Sequence, residues 1–179
     1  YGLRIMSLGM TAGQNEAFIW RGPLVSKMIH RLLGQVRWGE LDYLLIDLPP
    51  GTGDPSIAIA QALPDCWILM ITTPQEVAVA DVRRSIALFN KTGHPLVDLV
   101  ENMSYFLSSE SAEPINIFGS GGGEKLSKEA EIPLLAALPL DLELRQGGDD
   151  GVPLMVSEPN SSTGLIFQTI AQKVVGLIT

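Results

Sequence analysis

The chain has a single cysteine, few basic residues and no long apolar run, and each shortage excludes a class of protein. One cysteine in 179 residues, Cys66, rules out an internal disulfide and a thiolate cluster within one chain. Twelve Lys and Arg against twenty Asp and Glu give a net charge of -8, which disfavours nucleic acid and anionic membranes as partners. The longest fully apolar run, Cys66–Ile71, is too short to cross a bilayer.

The length and the first residues set further expectations. A chain of 179 residues suits a single domain spanning 1–179, with one hydrophobic core. Tyr1–Arg4 leads into a strand-like pattern and not into a charged leader with an apolar segment, so a cytoplasmic location is expected. A chain without an initiator methionine also fits a fragment of a longer protein.

Short apolar runs alternate with longer helical patterns along the chain. This alternation predicts an α/β fold with a doubly wound, mostly parallel sheet flanked by helices. Spacings of four behind Pro23 predict a first helix, Thr73–Glu76 resembles a capping box for a helix over 74–90, and Ser161–Ile178 predicts a packed closing helix. The predicted strands are Leu3–Gly9, Tyr43–Leu48, Cys66–Thr72, Leu96–Glu101 and Leu134–Leu138.

Ligands of parallel sheets bind beyond the carboxyl ends of the strands, so the residues that follow each strand are the candidates for function. Asp47 ends one apolar run, and an acid there suits either a Mg²⁺ site beside phosphates or a turn cap. Asn102 suits either an amide that meets a nucleotide base or a turn residue that bonds its own backbone. Pro139–Asp141 follows the last predicted strand.

Neither glycine-rich segment matches a phosphate-binding loop. Gly51 and Gly53 would need a third glycine where Ser56 stands. In the Gly119–Gly123 segment, Glu124 separates the glycines from the following lysine, which predicts only a flexible entry to a helix. The sequence therefore offers a metal-side acid without the lysine-bearing loop that should face it.

Six stretches together resemble the Mrp/ApbC family of iron–sulfur cluster carrier ATPases, relatives of MinD in the deviant Walker A class. They are WRGPLV (20–25), WGELDYLLIDLPPGTGD (38–54), TTPQEVAVADVRR (72–84), ENMSYF (101–106), IFGSGGG (117–123) and PLD (139–141). The resemblance implies ATP with Mg²⁺ held in a homodimer, and an Fe–S cluster that bridges the dimer for delivery to apoproteins or assembly factors. It makes Asp47 the catalytic Walker B acid at Mg²⁺. The implied nucleotide contacts are Pro49 and Gly51 in the switch loop, Asn102 at the adenine, and Pro139, Leu140 and Asp141 in the loop that closes over the base.

The sequence departs from the family pattern in two places. The family's phosphate loop should precede residue 1. The chain is therefore expected to be either a fragment of a longer protein, with a fold incomplete at its amino end, or a chain that cannot bind ATP in the family's manner, and this chain alone is expected to be inactive as an ATPase. Ser108 and Ser111 stand where the family has a Cys-x-x-Cys pair. Serine hydroxyls stay protonated near neutral pH and Fe–S clusters are held by thiolates, which argues against a cluster on this loop.

Two functions therefore stay open beside a less favoured third. The first is an ATP-dependent iron–sulfur cluster carrier, and the second is a scaffold or regulatory module that neither hydrolyses ATP nor carries a cluster. A MinD-like membrane-positioning ATPase is disfavoured because Lys173 is the only basic residue of the closing helix.

Overall fold

The computed structural model describes residues 1–10, 22–108 and 113–178, without the side chains of residues 22 and 23. The chain forms two compact units, Tyr1–Pro64 and Asp65–Thr179. The prediction of one domain over 1–179 stays a prediction. No helix in the described part of the chain is long and apolar enough to span a membrane.

The first unit contains helices but no strand within its described residues. A 3₁₀ turn covers Leu8–Met10, α1 covers Gly22–Gly34 and α2 covers Asp54–Ala62. The helix predicted behind Pro23 is therefore confirmed.

The strands predicted at Leu3–Gly9 and Tyr43–Leu48 are wrong for this structure. Leu45 is 92% exposed, and the Arg4 guanidinium donates to the carbonyl of Glu40 at 3.1 Å and to that of Trp38. A strand exists only where its backbone groups pair with a neighbour. No neighbouring strand lies among the described residues of this unit, so neither apolar run becomes a strand.

The second unit is built on a three-stranded parallel sheet and a small antiparallel hairpin. Its strands are β1 (Ile68–Thr72), β2 (Leu96–Glu101), β3 (Phe106–Leu107), β4 (Pro114–Ile115) and β5 (Leu134–Ala137). The sheet order is β1-β2-β5, and β3 pairs with β4. The last three predicted strands are thus confirmed, each to within two residues.

Five helices lie in the described part of this unit: α3 (Glu76–Thr92), α4 (Gly122–Ala130), α5 (Leu142–Asp150), α6 (Leu154–Ser157) and α7 (Ser162–Ile178). The helices α3 and α4 contact each other and the sheet, and Arg83 of α3 is ion-paired with Glu129 of α4 at 2.6 Å. Val79, Leu99 and Leu126 are fully buried among them. The core therefore lies between this helix pair and the central strand.

The predicted capping box before α3 is wrong, because the helix begins at Glu76 and has no side-chain cap. The Thr73 hydroxyl donates to the side chain of Gln75, and Glu76 instead pairs with Lys125 at 3.0 Å. The carbonyl of Pro74 lies against the Gly122 backbone at the start of α4. Packing against α4 therefore sets the conformation of this segment.

The closing helix forms at its predicted place, but its apolar side is only partly covered. Leu165 is 51% exposed and Leu177 is 45% exposed, whereas Thr163 and Gly164 are buried at the amino-terminal end. The helix contacts β5 and α6. Ile166, Ile170 and Val174 are half-buried, so the predicted core packing of this helix is confirmed only in part.

Candidate nucleotide site

Asn102 immediately follows β2, the central strand, and a backbone hydrogen bond joins it to the end of the neighbouring strand β1. Its N–H donates to the carbonyl of Thr72 at 2.8 Å, and its Oδ1 accepts from the N–H of Met103 at 2.9 Å. Met103 has a φ of 55°, an uncommon conformation for a non-glycine residue. The side-chain oxygen of Asn102 therefore stabilises the turn, which is one of the two roles that the sequence predicted for this residue. This hydrogen bond involves neither N–H of the amide group.

The Pro139–Asp141 segment lies alongside the turn that contains Asn102. The N–H of Leu140 donates to the carbonyl of Tyr105 at 2.7 Å, and the N–H of Ser104 donates to the carbonyl of Leu138 at 2.9 Å. Phe106 and Leu140 continue this contact as a parallel bridge. Two segments predicted from separate motifs are therefore joined by backbone hydrogen bonds at the carboxyl end of the sheet.

A shallow cavity of about 180 Å³ opens beside these segments. It is lined by Phe106, Leu107, Pro139, Leu140, Asp141, Leu142, Ser162 and Thr163. Pockets that enclose a whole drug-sized ligand span roughly 300–1,000 Å³. This cavity therefore suits one part of a ligand.

Asp141 caps helix α5. Its Oδ1 accepts from the N–H groups of Glu143 at 2.8 Å and Leu144 at 2.9 Å, and its Oδ2 accepts from the Thr163 hydroxyl at 2.5 Å. Partial burial acts to raise the pKa of this carboxyl, but the hydrogen bonds from Thr163, Leu144 and Glu143 outweigh it and lower the pKa below the ordinary value. The sequence analysis missed both the cap and the contact with Thr163.

We expect Thr163→Val to destabilise the protein at neutral pH by about 1.5–3 kcal/mol, the usual contribution of a hydrogen bond to a charged group. Asp141 has a lower pKa in the folded than in the unfolded chain, so it stabilises the fold above its ordinary pKa of 3.8. That contribution is lost as the pH falls through the folded value. The difference between Thr163→Val and wild type should therefore shrink below this pKa.

Urea unfolding of wild type, Thr163→Val and Thr163→Ser across this pH range checks the expectation. Thr163→Ser keeps the hydroxyl that reaches Asp141. It should resemble wild type in its pH dependence, whatever its loss of methyl packing. A deficit in Thr163→Val that is constant with pH would contradict the account.

Asp47 lies in the first unit and is exposed. The loop after it turns at Gly51, whose φ is 89°, and the Ser56 hydroxyl donates to the Gly51 carbonyl at 2.9 Å. Ser56 therefore folds the loop onto the first turn of α2, at the position where a phosphate loop would have its third glycine. Pro49, like Asp47, is exposed.

Among the described residues, no three His, Cys, Asp or Glu side chains are grouped to hold a metal ion. This does not argue against Mg²⁺ with a nucleotide, because Mg²⁺ is commonly held by one or two carboxylates together with phosphate oxygens and water. The exposed carboxylate of Asp47 has the right chemistry for such a ligand. The first unit therefore offers a hard oxygen ligand and no preformed metal cage among its described side chains.

The hairpin that carries the serines lacks thiolate ligands. Ser108 directly follows β3, and Ser111 lies outside the described residues. Burial raises the pKa of the Cys66 thiol; a backbone hydrogen bond opposes this and the charge of Asp65 adds to it. The only cysteine of the chain is therefore held toward its neutral form, which is a poor cluster ligand.

Glu101 is a further candidate for function, although no role was predicted for it from the sequence. Glu101 ends β2, is 6% exposed, and accepts a hydrogen bond from the N–H of Gly123 at 2.5 Å. A Cβ on Gly123 would lie 2.8 Å from the Glu101 Oε2. At the glycine segment, α4 thus approaches β2 closely. This corrects the prediction that the segment is only a flexible entry to a helix. No local signal marked Glu101, because Gly123 lies 22 residues further along the chain.

A family model described as ParA, NUBPL iron-transfer P-loop NTPase, matches residues 1–175. The chain belongs to this family. The resemblance predicted from the motifs is therefore confirmed.

Curated relatives agree with this assignment. The iron-sulfur cluster carrier protein of Synechocystis sp. is 42% identical over 180 residues, which cover 100% of this chain and 51% of that protein. The mitochondrial iron-sulfur protein required for NADH dehydrogenase of Arabidopsis thaliana is 40% identical, over 98% of this chain and 56% of that protein. The chain thus spans about half the length of the curated relatives it matches.

Solved structures confirm the predicted fold class. A nucleotide-binding protein from Archaeoglobus fulgidus, in complex with ADP, has a TM-score of 0.63 and 38% identity, over 72% of this chain and 53% of that one. MinD from Pyrococcus horikoshii, complexed with Mg-ADP, has a TM-score of 0.62 and 21% identity, over 88% of this chain and 58% of that one. The mostly parallel sheet flanked by helices is the fold of these P-loop NTPases.

Proposed function

We propose that the chain supplies the base-binding part of an ATP-dependent iron–sulfur cluster carrier that acts as a homodimer. The observation that carries the proposal is the joining of the Asn102 turn to Pro139–Asp141 at the carboxyl end of the sheet. This is where ligands bind in open α/β sheets. Membership of an iron-transfer NTPase family supports the choice of ATP and of iron–sulfur clusters as cargo.

In this proposal the amide group of Asn102 meets the adenine edge, and Pro139, Leu140 and Asp141 close over the base. The backbone hydrogen bond between Leu140 and Tyr105 holds that loop beside the turn. Asp141 also starts α5, so the N-cap fixes the direction in which the loop leaves the site. These residues bind and orient the nucleotide and exchange no proton with it.

Asp47 is proposed to hold Mg²⁺, directly or through water, with Pro49 and Gly51 in the loop that responds to the nucleotide. The ion would supply charge stabilisation at the transferred phosphate. Asp47 is exposed and needs no rearrangement of a core to meet it.

The lysine-bearing phosphate loop is proposed to come from residues outside the present sequence. β1 supports this, because it pairs only with β2 among the described strands. Its sequence ILMIT is apolar at successive positions, as in a parallel strand that is covered on both faces, yet Ile71 is 49% exposed. A further parallel strand on this edge, with its crossover helix on the face of the sheet, would cover this side chain and bring a following loop to the carboxyl end of the sheet.

The test uses the protein expressed from its complete coding sequence. Calorimetric titration with Mg-ATP and a steady-state hydrolysis assay should both give a positive result, and light scattering should report a dimer with nucleotide present. A purified dimer that shows no saturable binding of Mg-ATP would contradict the proposal.

The serines favour a second candidate, a scaffold or regulatory member of the family that carries no cluster and does not hydrolyse ATP. Anaerobic reconstitution with iron and sulfide, followed by visible absorbance, separates the two. A stable cluster would favour the carrier and would overturn the expectation drawn from Ser108 and Ser111. A colourless protein that also fails to turn over ATP would favour the scaffold.

A further inference from the structure

Three segments of the second unit meet at the buried side chain of Glu101. Its Oε2 accepts from the N–H of Gly123 in the first turn of α4, and its Oε1 accepts from the Ser104 hydroxyl at 2.7 Å. Glu101 and Ser104 are each 6% exposed. Buried carboxylates need such donors, and the start of a helix favours a negative group.

The backbone of Glu101 also forms a hydrogen bond with the segment that leads to Pro139–Asp141, the proposed base-binding loop. Its carbonyl accepts from the N–H of Leu138 at 2.8 Å, and the N–H of Ser104 returns to the carbonyl of Leu138. Glu101 thus contacts both the turn that begins at Asn102 and the residue before Pro139. Few single residues could change the distance between these two segments as directly.

The close approach of α4 depends on the absence of a side chain at Gly123. A Cβ there would lie 2.8 Å from Oε2 and 3.0 Å from the Cβ of Glu101. The N-cap residue of α4, Gly121, offers no side chain to its own helix. Glu101 therefore takes the place of a local cap and fixes α4 to the end of β2.

We propose that Glu101 is a positioning residue for the nucleotide, acting through Asn102 and Pro139–Asp141 without touching the ligand. The inference rests on the proposed function, because it assigns the base to these two segments. It deepens that function by locating the control of base affinity in a buried carboxylate behind the site. Its loss should weaken ATP binding and raise KM, while kcat, which depends on the phosphate side, changes little.

The test compares Glu101→Gln with Glu124→Gln in the protein expressed from its complete coding sequence. Gln keeps the shape and removes the charge, so the hydrogen bonds to Gly123 and Ser104 lose their charge assistance and one of the two contacting atoms becomes an N–H donor. Glu124 is exposed in the same first turn of α4, so its change removes the same charge without touching the turn. Ser104→Ala removes one of the two donors and serves if Glu101→Gln does not fold.

Two readouts are measured on each variant: amide hydrogen exchange at Gly123, Ser104 and Leu140, and the Kd for Mg-ATP with KM and kcat. Glu101→Gln should speed exchange at these amides and weaken ATP binding by about tenfold, a change of about 1.4 kcal/mol. Ser104→Ala should act in the same direction and more weakly. Glu124→Gln should match wild type.

Faster exchange with an unchanged Kd would overturn the positioning role, and so would unchanged exchange in Glu101→Gln. A rise confined to KM would support it, whereas an equal fall in kcat would place the effect at the phosphate side and contradict it. A wild-type protein that binds no ATP would overturn the proposed function itself. A Glu101→Gln protein that binds ATP as well as wild type would overturn only the positioning role.

Discussion

Replacing Asp47 with asparagine is expected to abolish Mg²⁺-dependent ATP hydrolysis by the protein expressed from its complete coding sequence. The amide keeps the size of the side chain and removes the charge that would hold the ion. Because Mg²⁺ supplies several kcal/mol of charge stabilisation in phosphoryl transfer, the loss in kcat should be about 100-fold or more. Phosphate release at saturating ATP, measured over a range of Mg²⁺ concentrations, checks the expectation.

The control for this prediction is Asp42→Asn, an exposed aspartate on the other side of the same apolar run. It should hydrolyse ATP like wild type. Both residues are exposed, so neither change should alter the circular dichroism spectrum or the melting temperature. An Asp47→Asn protein with the turnover of the Asp42→Asn protein would remove Asp47 from the metal site.

Gly122→Ala is expected to cause a large loss of stability. The added Cβ would lie 2.4 Å from the carbonyl oxygen of Pro74 and 2.9 Å from its carbonyl carbon. These are backbone atoms, so the clash is relieved only by moving α4 away from the segment before α3. Overpacking of this kind costs about 1–3 kcal/mol, and each kcal/mol lowers Tm by about 2–4 °C in a chain of this length.

Gly148→Ala is the matched control, since Gly148 lies inside α5 with nothing within 4 Å of an added Cβ. It should gain about 0.5–1 kcal/mol from the lower entropy of the unfolded chain. Guanidinium unfolding of both variants gives the two changes with opposite signs. A Gly122→Ala protein as stable as Gly148→Ala would mean that α4 does not approach Pro74 as closely as described.

The strands that could be predicted from the sequence are those whose partners lie within the described chain. Leu96–Glu101 was predicted to the residue, because it pairs on both sides and is buried over almost its whole length. Tyr43–Leu48 is just as apolar but has no strand beside it among the described residues of the first unit, and Leu45 is left 92% exposed. An apolar pattern shows which side chains a segment could bury. Whether the segment pairs as a β-strand depends on residues elsewhere in the chain.

The candidate site shows the same division. Motif order was enough to select Asn102 and Pro139–Asp141, and the structure joins them through hydrogen bonds. The side chains that hold them, Glu101 and Thr163, were not predicted, because their roles depend on partners 22 residues away in the chain. No local spacing rule can supply such contacts.

ATP is proposed to bind with its base at Asn102 and Pro139–Asp141. The most direct measurement is photolabelling of the protein from its complete coding sequence with an azidoadenine analogue of ATP, followed by mass spectrometry of its peptides. Labelling is expected within residues 102–106 or 139–142, and excess unmodified ATP should prevent it. Protectable labelling confined to other peptides, or no protectable labelling at all, would contradict it.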